Sequence, residues 1–155
     1  WYVTKSTSTG GSYNYSVNVF STQAVAPTVA SAYEVLPFGG ERWDVGDFHD
    51  NVTNNSRLTV PQNGIYNIWF NIRSARQTTV TDRVIFRYGI NGTNIRGLEV
   101  APGSTFTDPS HSFYTEVDLN LGDYVEILML VDDTAITTYA DSNQSAFGMN
   151  WLRST

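Results

Sequence analysis

With no cysteine in its 155 residues, this chain must draw any acid–base or metal chemistry from two histidines and its carboxylates. His49 stands between Asp47 and Asp50, an arrangement that suits a metal ligand set or a general base. No second ligand-rich segment accompanies it at a matching distance, so a structural or surface role is the expectation. His111 lies alone between Ser110 and Ser112. Glu116 and Asp118 share one face of a strand, as paired carboxylates must for glycoside hydrolysis. Alternating polar residues on a strand are more simply its wet face. Asp132, Asp133 and Asp141 fall in a late polar segment without the spacing of a calcium loop. The sequence has no G-x-S-x-G elbow, phosphate loop or H-E-x-x-H. No catalytic residue, metal ligand or cofactor is therefore assigned, and no thiol chemistry or disulfide is available.

Recognition chemistry is better supplied. Thr137, Thr138, Tyr139, Asp141 and Asn143 set an aromatic face among hydrogen-bonding groups, a chemistry suited to sugars. The stretch Thr137–Gln144 is the candidate ligand loop, because loops vary freely on a rigid frame. Tyr33 and Trp43 could serve similarly elsewhere, although burial in the core or an interface is the simpler fate for Trp43. N-x-[ST] triplets begin at Asn14, Asn51, Asn54, Asn91 and Asn143. In a secreted eukaryotic protein they would mark glycosylated loops; otherwise they follow from an Asn/Ser/Thr-rich composition.

These residues need a frame, and the composition says which kind. Only 15% of residues are charged while 14% are aromatic, and Val, Ile, Thr and Asn recur throughout, as in half-buried strands and tight turns. The formal charge of −6 repels a phosphate backbone and an anionic membrane surface. The longest apolar run, Val125–Val131, is strand-sized and falls far short of the ~20 residues of a membrane helix. The chain opens at Trp1 without a signal peptide and reads as the head of something longer. Trp1–Tyr15 is Ser/Thr/Gly-rich and aperiodic, an arm or linker; residues 16–155 form one domain.

Strands are expected over Val17–Val25, Ala32–Phe38, Arg57–Val60, Ile65–Arg73, Arg83–Ile90, Asn94–Val100, Ser112–Leu119, Tyr124–Val131 and Ala146–Leu152. Pro61-Gln62-Asn63-Gly64 is a β-turn, Asn91-Gly92 a hairpin and Leu121-Gly122-Asp123 a further turn; Pro102-Gly103 closes the Asn94–Val100 strand. No segment has a sustained helical period. The fold class is all-β, a sandwich or barrel.

Two strands carry an apolar second face. In Ile65–Ile72 the residues Tyr66, Ile68, Phe70 and Ile72 alternate with Ile65 and Trp69. In Tyr124–Val131 the residues Val125, Ile127, Met129 and Val131 alternate with Tyr124, Leu128 and Leu130, beside Glu126. Leaving such side chains in water forgoes roughly 1.5–3 kcal/mol each. Either self-association covers them or loops and the N-terminal arm do. Trp69, Tyr124, Leu128 and Leu130 are the candidate subunit interface.

Three segments, in this order, carry a family likeness. Leu58-Thr59-Val60-Pro61-Gln62-Asn63-Gly64-Ile65-Tyr66 fits F/L-T-V/A-P-x-x-G-x-Y. Leu119-Asn120-Leu121-Gly122-Asp123-Tyr124-Val125-Glu126 fits L-x-x-G-D-x-V-x. Ser145-Ala146-Phe147-Gly148-Met149-Asn150-Trp151-Leu152 fits a closing strand S-x-F-x-G/M-x-x-L. Together they resemble the head domains of the C1q/TNF-like superfamily. The block Phe38–Asp44 (F-x-x-E-x-W-D), followed by His49-Asp50, Asn54-Asn55 and Arg57–Pro61, is similar to the bacterial and bacteriophage branch, as is the Ile90–Thr93 hairpin. The likeness runs from about Ser16 to Arg153.

What the resemblance implies is a ten-stranded jelly roll assembled as a homotrimer, without enzymatic activity. In phages such heads sit at the tips of tail fibres or baseplates and adsorb to a host cell-surface receptor, in some cases a polysaccharide. The implied partners are two further copies, that receptor and an upstream fibre or stalk, and the implied location is the virion. An architectural head that trimerises or decorates a fibre without a receptor is the alternative. Mammalian members often hold calcium on acidic loop residues, and this sequence offers no clean match.

Overall fold

A computed structural model of the chain describes residues 15–75, 83–100, 108–141 and 143–155. The expected arm, apart from Tyr15, and the expected turn at Pro102-Gly103 lie outside them. The described residues form eleven strands: β1 (Ser16–Phe20), β2 (Glu34–Val35), β3 (Gly40–Val45), β4 (Arg57–Thr59), β5 (Gly64–Ala75), β6 (Val84–Ile90), β7 (Thr93–Val100), β8 (Ser110–Leu119), β9 (Tyr124–Val131), β10 (Thr137–Thr138) and β11 (Ser145–Arg153). One sheet runs β3-β1-β11-β5-β8, with β10 pairing the end of β5; the other runs β2-β9-β6-β7, with β4 also on β9. Every pairing is antiparallel. The chain changes sheet at every connection except β6–β7 and β10–β11, which makes this an all-β jelly roll. The nine segments read as strands become eleven because β3 and the two-residue β10 also pair, against the ten that the resemblance implies.

Period-two alternation explains why the sheets stack. Tyr66, Ile68, Phe70 and Ile72 of β5 are shut from solvent, as are Val125, Ile127, Met129 and Val131 of β9. Between the layers Phe70 meets Phe86 at 6.2 Å, within its own sheet it stacks on Phe113 at 5.6 Å, and Phe38 meets Phe147 at 5.4 Å. Tyr66, although buried, donates its hydroxyl to the Gln62 carbonyl at 2.8 Å, and burial pushes its phenol up to about 12.

That turn also gathers the three family-like segments at one end of the sandwich. Asn63 Oδ1 accepts from the Leu121 backbone at 2.7 Å, and the Asn63 carbonyl accepts from Trp151 Nε1 at 3.3 Å. Val60 exchanges backbone bonds with Asp123 and Gly122 at 2.8 and 2.9 Å. Gly64 takes φ 153°, where a β-carbon would also press on the Arg153 carbonyl.

Three strands depart from expectation. The one expected over Val17–Val25 already ends at Phe20. The segment expected as a strand over Ala32–Phe38 pairs only at Glu34–Val35. Ahead of it the Glu34 carboxylate accepts from the backbones of Thr28 and Val29 at 2.6 and 2.8 Å, which folds the chain into a loop. β3, GERWDV, is a full strand whose alternation reaches only Trp43 and Val45, both exposed, and it is recruited by pairing along β1.

Candidate functional site

The outer face of the six-stranded sheet is the first surface to consider. Backbone register sets Trp43, Asn18, Gly148, Trp69 and Tyr114 side by side across β3, β1, β11, β5 and β8. Trp43 is 46% exposed and Tyr114 75%. The Trp69 ring lies against Gly148, in the volume a β-carbon would occupy. The carbonyl oxygens of the Asn18 and Asn67 side chains, on this same face, are shut from water and have no hydrogen-bond partner. The face is thus aromatic, half-dry and built around a missing side chain. Trp43, for which burial in the core or an interface was expected, is left out of the core, and Tyr114 had no place among the expected interface residues. Ser112–Leu119 alternates cleanly, yet which of its faces meets an aromatic neighbour depends on register, which one strand read alone does not give.

Tyr124, Leu128 and Leu130 lie on the outer face of the other sheet, so the structure does not bring them together with Trp69. Leu128 and Leu130 are only 9% and 7% exposed in the single chain. β2 pairs along β9 beside them, and Arg87 stacks on the Tyr33 ring at 4.8 Å. On the same face Glu126, nearly buried, accepts from Arg57 Nε at 2.8 Å and from Ser56 Oγ at 3.3 Å. Arg57 lies over the Tyr124 ring at 4.1 Å, and its bond to Glu126 raises its already high pKa.

The expected ligand loop is tied inward. Tyr139 donates its hydroxyl to Asp108 at 2.8 Å, a bond that raises its pKa, and Arg73 covers one face of its ring at 4.8 Å. Asp141 accepts from the Asn143 backbone at 2.8 Å, and Asn143 accepts from Arg42 at 3.3 Å. Thr138 is buried and accepts from the Val25 backbone at 3.1 Å. Tyr139, Asp141 and Asn143 therefore do cluster around Arg73 and Gln144, Thr137 is half-buried on β10, and Thr138 has nothing left to offer a ligand.

The histidines are structural. The His49 side chain is shut from solvent between Glu41 Oε1, 2.8 Å from Nδ1, and the Asn55 carbonyl, 3.0 Å from Nε2. His111, 1% exposed, packs on Phe86 and shares a 2.9 Å hydrogen bond with the buried Ser74 hydroxyl. Burial pulls its pKa down to about 4. Glu116 and Asp118 are exposed on β8, with Arg153 3.7 Å from Glu116. Among the described residues no three His, Asp or Glu side chains gather closely enough to hold a metal ion.

No family model and no curated protein sequence matches the chain. Solved structures do. Murine APRIL at pH 8.0 superposes with a TM-score of 0.66 at 11% identity, over 90% of this chain and 99% of that one. The globular domain of zebrafish complement 1qA protein gives 0.60 at 14% identity, over 92% and 99%. The fold is a C1q/TNF-like jelly roll; at these identities the likeness is one of fold alone.

Proposed function

We propose that this chain is a non-enzymatic, homotrimeric binding head of a phage tail fibre or baseplate, which adsorbs to a host cell-surface receptor. The observation that carries the reading is the aromatic row on the six-stranded sheet. A solvent-facing sheet surface with Trp43, Trp69 and Tyr114 in register is built to meet protein, and two further copies of the chain are the partners proposed for it. Trp69 stays in that interface. Tyr124, Leu128 and Leu130 do not belong to it, because they sit on the opposite side of the sandwich and the chain itself already covers the two leucines. Three heads on one stalk would turn weak contacts into avidity where receptors repeat at a matching spacing. A surface polysaccharide is the receptor class that best meets that condition, and an upstream fibre supplies the attachment.

One observation favours the architectural alternative, a head that registers or decorates a fibre without a receptor. The loop first assigned to ligand binding spends Tyr139 on Asp108 and Arg73. Adsorption of the fluorescently labelled chain to a panel of bacterial cells and their purified envelopes decides between the two. Saturable, sugar-competed binding is expected. Uniform failure to bind across the panel would leave the architectural head.

A further inference from the structure

We propose that the cavity between the loop 46–57 and the β4–β9 edge is a binding site for a neutral saccharide unit. The inference rests on reading the chain as a binding head and moves its ligand away from Thr137–Gln144. The cavity measures about 650 Å³ and is lined from Glu41 and the loop 47–54 to Arg57, Thr59 and Tyr124. That size falls within the ~300–1,000 Å³ typical of small-molecule sites.

The loop has no regular secondary structure, yet its shape is fixed from within. His49 is clasped at both ring nitrogens. The two oxygens of Asp44 take the backbone N–H groups of Phe48 and His49 at 3.1 and 2.9 Å. Asp50 Oδ1 takes those of Val52 and Thr53 at 2.8 and 2.9 Å. Asp47 and Asn54 are both held at φ 58°, a backbone region non-glycine residues enter only when their surroundings impose it. A site shaped before its ligand arrives loses less entropy on binding.

The lining then matches one ligand chemistry. The side chains of Asn51, Thr53, Asn54 and Thr59 make no hydrogen bond within the protein, and Arg57, engaged through Nε, keeps its two terminal nitrogens free. Those groups supply donors and acceptors together, as vicinal hydroxyls require. An anion would meet Asp47 and Asp50, whereas a cation would meet Arg57. A neutral polyol satisfies both. Val52, 91% exposed at the loop tip, offers apolar contact to the C–H face of a sugar ring, and Tyr124 backs the Arg57 guanidinium at 4.1 Å.

The test screens the full chain on an array of neutral and anionic oligosaccharides, then titrates the best neutral one by calorimetry. The variants are N51A/T53A and, separately, T59A; all three side chains are exposed and make no internal bond, so folding is preserved. V29A, remote on another loop, is the control. Neutral glycans are expected to bind, with affinity falling at least tenfold in the double variant and severalfold in T59A, at unchanged native mass and melting temperature. Binding to anionic glycans only, no binding at all, or full affinity in both variants would overturn the site. Full affinity in both variants would leave the binding-head reading intact with its ligand elsewhere. A monomer that binds neutral glycans through these residues would overturn the trimer and keep the site.

Discussion

Gly148 illustrates how a single residue fixes the chemistry of a whole face. A β-carbon there would run into the Trp69 ring and lie 2.7 Å from the Val17 carbonyl oxygen. The tryptophan could yield by turning outward, but the backbone could not. Gly148→Ala is expected to destabilise the chain by about 1–3 kcal/mol, read from urea unfolding; a variant as stable as wild type would contradict the packing. His111 makes a second residue-scale prediction. Its folded pKa of about 4 lies below the ordinary 6.5, so the unfolded chain takes up the proton first as pH falls. The stability tied to the neutral ring is complete above pH 6.5 and lost on acidification toward pH 4, on the order of 3 kcal/mol in all. His111→Gln keeps a hydrogen-bonding group for Ser74 and cannot titrate. The stability of wild type relative to this variant should therefore fall across that window. The carboxylates of Asp50, Asp123 and Glu34, held below their usual range by hydrogen bonds from N–H groups, act alike in both proteins and cancel. A pH-independent difference would contradict the buried neutral histidine.

Between elements, the Leu121-Gly122-Asp123 turn does more than reverse the chain. Asp123 accepts from Asn91 Nδ2 at 2.7 Å and from the Asn120 backbone at 2.8 Å, and Asn91 Oδ1 accepts from the Tyr124 backbone at 3.0 Å. The β6–β7 hairpin is thereby clipped to the start of β9. Asp123→Ala is expected to lower stability by about 1–2 kcal/mol, with the amide exchange of Asn91 and Tyr124 accelerating first; exchange that speeds up uniformly would mean the clip is not local. Elements of this kind were legible in the sequence, because turn chemistry and alternation are local signals. β5, β6, β8 and β9 were placed nearly to their ends for that reason, and so were both faces of β5. β3 was not, since the alternation of GERWDV spans only Trp43 and Val45 and no apolar run bounds it, and its strand character comes from β1 beside it. The covering of Leu128 and Leu130 was equally invisible: alternation says which side of β9 they occupy, not what else lies there. Of the candidate sites, the Tyr139 cluster was found as a neighbourhood. Its engagement with Arg73 and Asp108 was not, because both partners are more than thirty positions away in sequence.

For the molecule as a whole, the two outer faces of the sandwich play different parts. One is clad by the chain's own side chains and carries the pair of part-exposed Arg57 and nearly buried Glu126. The other presents an aromatic row to solvent, and the proposed assembly rests on it. Tyr114→Asp sets a charge in that row at a side chain 75% exposed in the single chain, so the fold should survive while association fails. Leu128→Asp would instead place an unpaired charge in a covered site and report on folding. The most direct measurement is therefore the native mass of the wild-type chain and of Tyr114→Asp at micromolar concentration, by light scattering after size-exclusion chromatography. Three times the chain mass for wild type and a folded monomer for the variant is the predicted result. A wild-type chain that stays monomeric, or a Tyr114→Asp variant that remains a trimer, would contradict assembly through this face.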